Sequence, residues 1–318
     1  MNVPRCGWRR CVLNVGLLLL ALSLPQALLA QWKASVGAQS KDLGRQALAF
    51  LPNEIWIHEG ESITWTFEMA EIHPVSFLQA GQMRLPFQVG CPGVMVNNAS
   101  FDGSSCVTTP PPVTGQTFTV QFPMRGNYKL GCLVHENMTG VVHVLEPAAL
   151  PLNQSDYDEL AAKEKTKLLA DADNDQKETS AHHHFANAVK AGTSAVVATA
   201  SGKDSLSVMR FLNDTVVIHA GETAEWTNED PITPPTITFG TEPANPMPPS
   251  ANGTIDADGA RHATITSVFD SVHSGFIVAA LQERIGLSQA PVGVTRFRIT
   301  FTKVERIHIF VRCTMIWG

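Results

Sequence analysis

A short segment of the chain carries three side chains that could bind a soft metal ion. Residues 128–142 read YKLGCLVHENMTGVV, so the Cys132 thiolate, the His135 imidazole and the Met138 thioether follow a C-x2-H-x2-M spacing. A strand that ends at Cys132 and a new strand that begins near Gly140 would let the turn between them converge these side chains on one point. Thiolate, thioether and imidazole are ligand types that suit copper.

A fourth ligand must come from another part of the chain. His73, in the motif EIHPVSF, stands at the end of an earlier strand-like run. Two histidines and one cysteine with a weak methionine bond form the ligand set of a type-1, or blue, copper site. Each of these residues alone is more typical of a core or a surface, but the combination predicts a site for one copper ion. Four protein ligands leave no open position for a substrate, so we do not expect an enzyme.

Length and charge narrow the class of protein. The 318 residues suffice for two domains with separate cores. The net charge of -6, with scattered basic residues, gives no basic patch of the kind that binds nucleic acid. We therefore expect neither a nucleic-acid partner nor a small-molecule substrate.

The first thirty residues have the pattern of an export signal. Basic residues precede an apolar run over 12–24, and small residues follow near Ala30. The run is too short for a stable membrane span, so the mature chain should have none. Arg9 and Arg10 also fit a twin-arginine signal, and the choice between that pathway and ordinary secretion stays open. Either one predicts a periplasmic or secreted protein.

The cysteines separate into three groups. Cys6 and Cys11 would leave with the signal. Cys91 and Cys106 flank a Gly- and Asn-rich loop, and an oxidising compartment favours a disulfide between them. Cys132 then has no cysteine partner in the first half, as a metal ligand should.

An internal repeat predicts the architecture. Residues 50–66 (FLPNEIWIHEGESITWT) match residues 211–227 (FLNDTVVIHAGETAEWT) without a gap, and residues 118–122 (FTVQF) match residues 297–301 (FRITF). These are alternating β-branched and aromatic runs with a glycine turn, which favour strands. Each half is therefore expected to be a small all-β sandwich.

A polar stretch separates the halves. Residues 153–176 place leucines and alanines at helical spacing, and Ser155 with Asp158 forms a variant of the capping box. We expect one exposed linker helix and a flexible join that holds the cluster 182–184 of three histidines. The predicted organisation is an export signal at 1–30, a copper-binding domain at 31–147, a helical or flexible linker at 148–190 and a degenerate, truncated domain at 191–318.

With these residues in view, the segment 41–146 resembles the cupredoxins, the family of plastocyanin, amicyanin and azurin, and its ligand spacing is similar to the short loop of amicyanin. The resemblance implies two tandem Greek-key β-sandwiches, the second degenerate. It also implies one mononuclear copper at the loop-rich end, held by ring nitrogens of His73 and His135, the Cys132 thiolate and the axial sulfur of Met138. The implied function is one-electron transfer between partner proteins that dock transiently.

One position departs from the family pattern. The family commonly has an asparagine after the first histidine, with a backbone N–H that points at the thiolate, whereas this chain has Pro74, which has no N–H to donate. We therefore predict a lower reduction potential than with a donor at this position.

The second half lacks its ligands. Alignment through Phe77 and Phe239 puts Pro235 where His73 stands. The chain then ends in ERIHIFVRCTMIWG, without the glycine and valine strand that should close a sandwich. With suitable codons, one added base before Glu305 gives GTYPYICALHDDLG, with a cysteine in place of Val311. We interpret the tail as a frameshifted copper loop; a natural divergent terminus is the alternative. Under either interpretation of the tail, we do not expect His308, Cys313 or Met315 to be copper ligands.

Two other functions stay open. The first is copper binding and delivery without redox turnover, which needs the same ligands. The second is a fragment related to multicopper oxidases, although the paired H-x-H histidines that those enzymes need do not occur in either predicted sandwich.

Several other residues are expected to have structural roles. We expect this of the matched histidines His58 and His219 and of His143, and we expect the matched Trp65 and Trp226 to lie in the two cores. A docking surface is expected around an exposed edge of His135, with candidates Pro74, Leu133, Val134 and Met138.

Overall fold

The computed structural model describes residues 31–84, 91, 98–147, 150, 152–181, 187–212, 215–245, 248–279, 294–303, 307 and 309–312, and they are mostly β. The predicted export signal, the histidine cluster 182–184, His308 and the tail 313–318 lie outside the described residues. In the part of the chain that is described, no helix is both long and apolar enough to cross a membrane.

The described residues between 31 and 145 form ten strands in two facing sheets. The order is β2-β1-β4-β8-β6 in one sheet and β3-β10-β9-β5-β7 in the other. Ile57 of the second sheet and Trp65 of the first are both fully buried in one shared core, as the period-two alternation of their strands requires. The strands are β1 Gln31–Gln39, β2 Arg45–Leu51, β3 Glu54–His58, β4 Ser62–Phe67, β5 Ser76–Phe77, β6 Ala99–Ser100, β7 Val107–Thr108, β8 Thr117–Gln121, β9 Gly126–Gly131 and β10 Thr139–Leu145.

The remaining elements follow a helix, α1, which spans Gln154–Ala181. Trp226 lies in a second, separate core. The matched tryptophans also have the same neighbours across the sheet, since Trp65 pairs with Phe118 and Trp226 with Phe297. The predicted correspondence of these strands and the core role of both tryptophans are confirmed. The strands are β11 Ala188–Ala198, β12 Lys203–Phe211, β13 Thr223–Glu229, β14 Thr236–Phe239, β15 Thr254–Ile255, β16 Arg261–Ile265, β17 Val272–Phe276, β18 Arg296–Phe301 and β19 Ile309–Arg312.

The two halves share one continuous sheet, which the sequence analysis did not predict. Strand β12 pairs antiparallel with β2, so that Ser205 lies opposite Leu48 and Val208 opposite Arg45. The joint sheet has eleven strands in the order β15-β16-β18-β13-β11-β12-β2-β1-β4-β8-β6. Backbone hydrogen bonds therefore fix the second half directly against the first, and the predicted domain boundaries remain a prediction.

Helix α1 is present where a helix was expected, but one of its faces lies against this sheet, so the expectation that it would be exposed is wrong for that face. Tyr157, Leu168 and Ala172 are buried on the face that it turns to the strands. The Tyr157 hydroxyl also donates to the Trp56 carbonyl over 2.8 Å. Apolar side chains on one stripe stabilise a helix mainly through such packing, so the helix joins the halves rather than spacing them apart.

The predicted cap of this helix is also wrong. Asn153, and not Ser155, caps it, because the Asn153 side-chain oxygen accepts from the Ser155 N–H at 2.9 Å. The Asp156 carboxylate accepts from the Asn153 N–H at 2.9 Å, which completes a reciprocal box two residues earlier than expected. Asparagine is as good an N-cap as serine, so local sequence could not decide between them.

The second half has a smaller second sheet. Its order is β17-β14-β19, and among the described residues β19 is one of its two edge strands. Phe77 pairs with Leu130, and its counterpart Phe239 pairs with Ile309. Two residues further along each strand, Val311 stands at the place of Cys132. The register therefore agrees with the repeat alignment of the tail, while the frameshift itself remains a prediction.

Candidate metal centre

Strand pairing brings two of the predicted ligands to the same end of the first sandwich. Strands β5 and β9 are antiparallel, with Ser76 opposite Gly131. His73 lies three residues before Ser76, and Cys132 follows Gly131 directly. Because the pairing is antiparallel, the start of β5 and the end of β9 meet at one edge, which puts the two side chains close together.

Local hydrogen bonds shape the loop that supplies the other ligands. The Cys132 N–H donates to the Met138 carbonyl over 2.9 Å, and the Met138 N–H donates to the His135 carbonyl over 3.2 Å. The His135 N–H in turn donates to the Cys132 sulfur at 3.2 Å. These bonds close the loop into a compact turn before β10 begins at Thr139, so the ligand positions are set by backbone geometry.

Three donor atoms meet inside this turn. His73, Cys132 and His135 present one ligand atom each, all within 4.8 Å of one another. The two Nδ1 atoms are 3.0 Å apart, and the Cys132 Sγ is 3.6 Å from the His135 Nδ1.

These distances fit a single metal ion. Two nitrogen ligands at ~2.0 Å from one ion and at a near-tetrahedral angle would be ~3.3 Å apart, and a nitrogen and a sulfur at ~2.0 and ~2.3 Å would be ~3.5–3.7 Å apart. Both observed separations lie close to these values. The donor set of two imidazoles and one thiolate is soft enough for copper.

Burial fixes the protonation of these groups. His73, Cys132 and His135 are each at most 2% exposed. Loss of solvent lowers the pKa of His73 to about 3, so its imidazole is neutral with a lone pair available. Burial raises the pKa of the Cys132 thiol to about 11, although backbone N–H groups of His135 and Val134 oppose the rise. A metal ion must therefore displace the thiol proton on binding.

The fourth predicted ligand, Met138, lies in the same turn as Cys132 and His135. Met138 has no exposed surface and belongs to the core of the first sandwich. The hydrogen bonds of its backbone to Cys132 and His135 hold it in the same turn. A thioether in that place is suited to a weak axial contact.

Two charged residues beside the site were missed by the sequence analysis. Glu71 is buried, with its Oε1 3.7 Å from the His135 Nε2, so a negative group lies on the side of the ring away from the Nδ1 that faces the other donors. The half-buried Arg84 donates from Nη2 to the Cys132 carbonyl over 3.0 Å. Burial lowers the pKa of Arg84, while the neighbouring Cys132 and Glu136 raise it. Neither residue belongs to a spacing motif that could have identified it.

The predicted docking surface is not exposed. His135 is 1% exposed, and Met138, Leu133 and Pro74 are also buried, while Val134 is half-buried. The prediction of a solvent-exposed His135 edge is therefore wrong. The spacing of ligands along a loop does not show what the rest of the chain places over it.

The other sequence-predicted residues have structural positions. Cys91 and Cys106 form the predicted disulfide, with 5.5 Å between their Cα atoms, and Cys132 is the free cysteine among the described residues. His58 is the last residue of β3, and His219 stands just before the matching turn. The ring Nδ1 of each lies near a glutamate carboxylate three residues later, at 3.3 Å and 3.2 Å. The His143 ring stacks on a strand neighbour, Trp56.

Comparisons with known proteins give limited information. No family model matches the chain, and no curated protein matches its sequence. Among solved structures, a reduced Cu(I) form of an amicyanin variant at pH 4 is similar to the chain, with 20% identity over 36% of this chain and 83% of that one and a TM-score of 0.25. An oxidized amicyanin variant is similar at 18% identity, over 36% and 82% of the two chains, with a TM-score of 0.25. Scores this low carry no statement about the fold, which rests on the strand pairing.

Proposed function

We propose that this chain is an exported one-electron carrier with one type-1 copper ion, held by His73, Cys132 and His135 with Met138 as the axial ligand. The observation that carries the proposal is the convergence of two Nδ1 atoms and one Sγ in a buried turn. Copper, when bound, would supply the one-electron couple.

The protein's part would be to hold the ligands still. The turn fixes Cys132 and His135 through backbone hydrogen bonds, and burial keeps water away from all the donors. Rigid ligands need little rearrangement when the charge of a site changes, which suits an electron carrier. Four protein ligands would leave no position for a substrate, so the proposed role is not that of an enzyme.

Partners would be other redox proteins that bind weakly and briefly, as small redox interfaces do. Because His135 is buried, the partner surface must lie elsewhere than the predicted patch. Periplasmic or secreted localisation remains part of the proposal and depends on the signal at 1–30.

The test is the visible absorption spectrum of the purified mature chain after Cu(II) addition, with metal content measured on the same sample. We expect one copper per chain and an intense thiolate-to-copper band that Cys132→Ser abolishes. The matched control is Cys91→Ser with Cys106→Ser, which removes the disulfide sulfurs outside the proposed ligand set and should leave the band unchanged.

Other outcomes would point to the alternatives. Tight Cu(I) binding without a blue oxidised form would favour copper delivery. More than one copper per chain would contradict the assignment of a single site and would favour a relation to multicopper enzymes.

A further inference from the structure

The loop that carries the predicted metal ligands is held by the second half of the chain. Met138 is flanked by Asn137 and Thr139, and both neighbours make hydrogen bonds to the hairpin between β11 and β12. The Ser205 hydroxyl donates to the Asn137 carbonyl at 3.3 Å, and the Lys203 N–H donates to the Thr139 Oγ1 at 2.9 Å. The last residues of the ligand loop are thus fixed from outside the first sandwich.

A buried asparagine ties the same hairpin to the same loop. The Asn53 Nδ2 donates to the Thr139 carbonyl and, over 2.9 Å, to the Asp204 carboxylate. The Asn53 Oδ1 accepts from the hydroxyls of Thr199, at 3.0 Å, and Ser201. Two donors and two acceptor sites are all that a side-chain amide has, so the hydrogen-bonding capacity of Asn53 is fully used.

The backbone of Asn53 extends this junction to two further elements. Its N–H donates to the Glu164 carboxylate of helix α1 over 3.0 Å, and its carbonyl accepts from Val141 of β10 over 3.0 Å. Asn53 is only 3% exposed. A buried polar network in which every member is satisfied specifies one arrangement of the elements that it joins.

The hairpin between β11 and β12 approaches the ligand loop so closely that its tip has no space for a side chain. A Cβ atom placed on Gly202 would lie 2.5 Å from the Thr139 Oγ1 and 3.2 Å from the Thr139 carbonyl oxygen. Glycine is therefore required by close approach at this position, and any larger residue would push the hairpin away from the ligand loop.

We propose that the second half of the chain acts as a clamp on the metal loop, with Asn53 and the hairpin 199–205 as positioning elements that hold Met138 in its ligand place. This role gives the second half a function although Pro235 and Val311 stand at its ligand positions. The clamp deepens the proposed function and rests on it for the identity of the metal, but not for the ordering of the loop.

The first test is amide hydrogen exchange of the metal-free full chain. Gly202→Ala and Thr139→Val should speed exchange at the Cys132 and Met138 amides about tenfold or more, while the amides of β4 stay within about twofold of wild type. Thr139→Ser keeps the hydroxyl and should restore slow exchange. Gly253→Ala is the control for a glycine-to-alanine change, because its new methyl group would meet no atom closer than 3.6 Å.

The second test is the rate at which the copper-loaded chain loses metal to a chelator. The two clamp variants should lose copper about tenfold faster than wild type, which is in the range found for residues that support metal ligands. Loop exchange that stays within about twofold of wild type, or that rises equally in the loop and in β4, would overturn the clamp.

The two proposals fail separately. A wild-type chain that binds no copper would refute the carrier function, and the exchange data would still decide whether the hairpin orders the loop. A blue wild-type chain with unaltered exchange and metal loss in the variants would refute the clamp alone.

Discussion

The contact between the two halves buries the carboxyl group of Asp204, where its ionised form is unfavourable. It is 2% exposed, and burial, together with the negative Glu164 nearby, raises its pKa from 3.8 to about 7. The hydrogen bond from Asn53 and the positive Lys167 oppose this rise but do not cancel it. Asparagine in place of Asp204 would keep an oxygen that accepts from Asn53 and would remove the ionisable group.

The size and sign of the effect follow from linkage. A carboxyl whose pKa is higher in the folded chain holds its proton more tightly there, so folding stability falls as pH rises from about 4 to about 8. A pKa of about 7 against an unfolded value of 3.8 corresponds to about 4 kcal/mol across that interval. Relaxation of the surroundings reduces such penalties, so we expect about 2–4 kcal/mol. Asp204→Asn should therefore stabilise the chain at about pH 8 and change little at about pH 4.

The assay is urea unfolding of wild type and Asp204→Asn at a series of pH values, compared as the difference in the free energy of unfolding. Asp158→Asn is the control, because Asp158 is exposed and also accepts a hydrogen bond from a side-chain amide, that of Gln154. Its difference should stay within about 0.5 kcal/mol at every pH. A pH-independent difference for Asp204→Asn, or a loss of stability at about pH 8, would refute the reasoning.

Two further changes act at or beside the candidate metal centre. Pro74→Asn offers an N–H that the native residue lacks, and a donor to the Cys132 sulfur favours the reduced state, so the potential measured by redox titration should rise; an unchanged or lower value would contradict this. Gly37→Ala should cost about 2–3 kcal/mol in urea unfolding. Gly37 has φ +69° at a bulge in β1, and a Cβ there would overlap the Met69 sulfur and lie 3.2 Å from the His73 ring. A loss below about 0.5 kcal/mol would contradict this account.

Much of the structure of the first half could be predicted from the amino-acid sequence alone. The ligand loop is predictable because Cys132, His135 and Met138 lie within seven consecutive residues and their turn closes through its own backbone. The strands follow from alternation, and the repeat gave the matching positions of Trp65 and Trp226 because both halves use the same register. The disulfide followed from two cysteines in a chain with a predicted export signal.

The contact between the two halves could not be predicted from the sequence. Asn53 and Asp204 are 151 residues apart in sequence, and their side chains meet only because β2 pairs with β12. Glu71 was likewise not identifiable, since its place beside the His135 ring depends on how the segment before β5 crosses the end of the sandwich.

The sequence by itself determined the types and spacing of the candidate ligands and the strands that carry them, because each depends on residues close together in the chain or on a repeated pattern. The tertiary structure alone decided that the second half lies against the loop of candidate ligands, that helix α1 is buried along one face, and that His135 has almost no exposed surface. Hydrogen bonds and burial between distant segments depend on which surfaces meet, and a local pattern of residues does not contain that information.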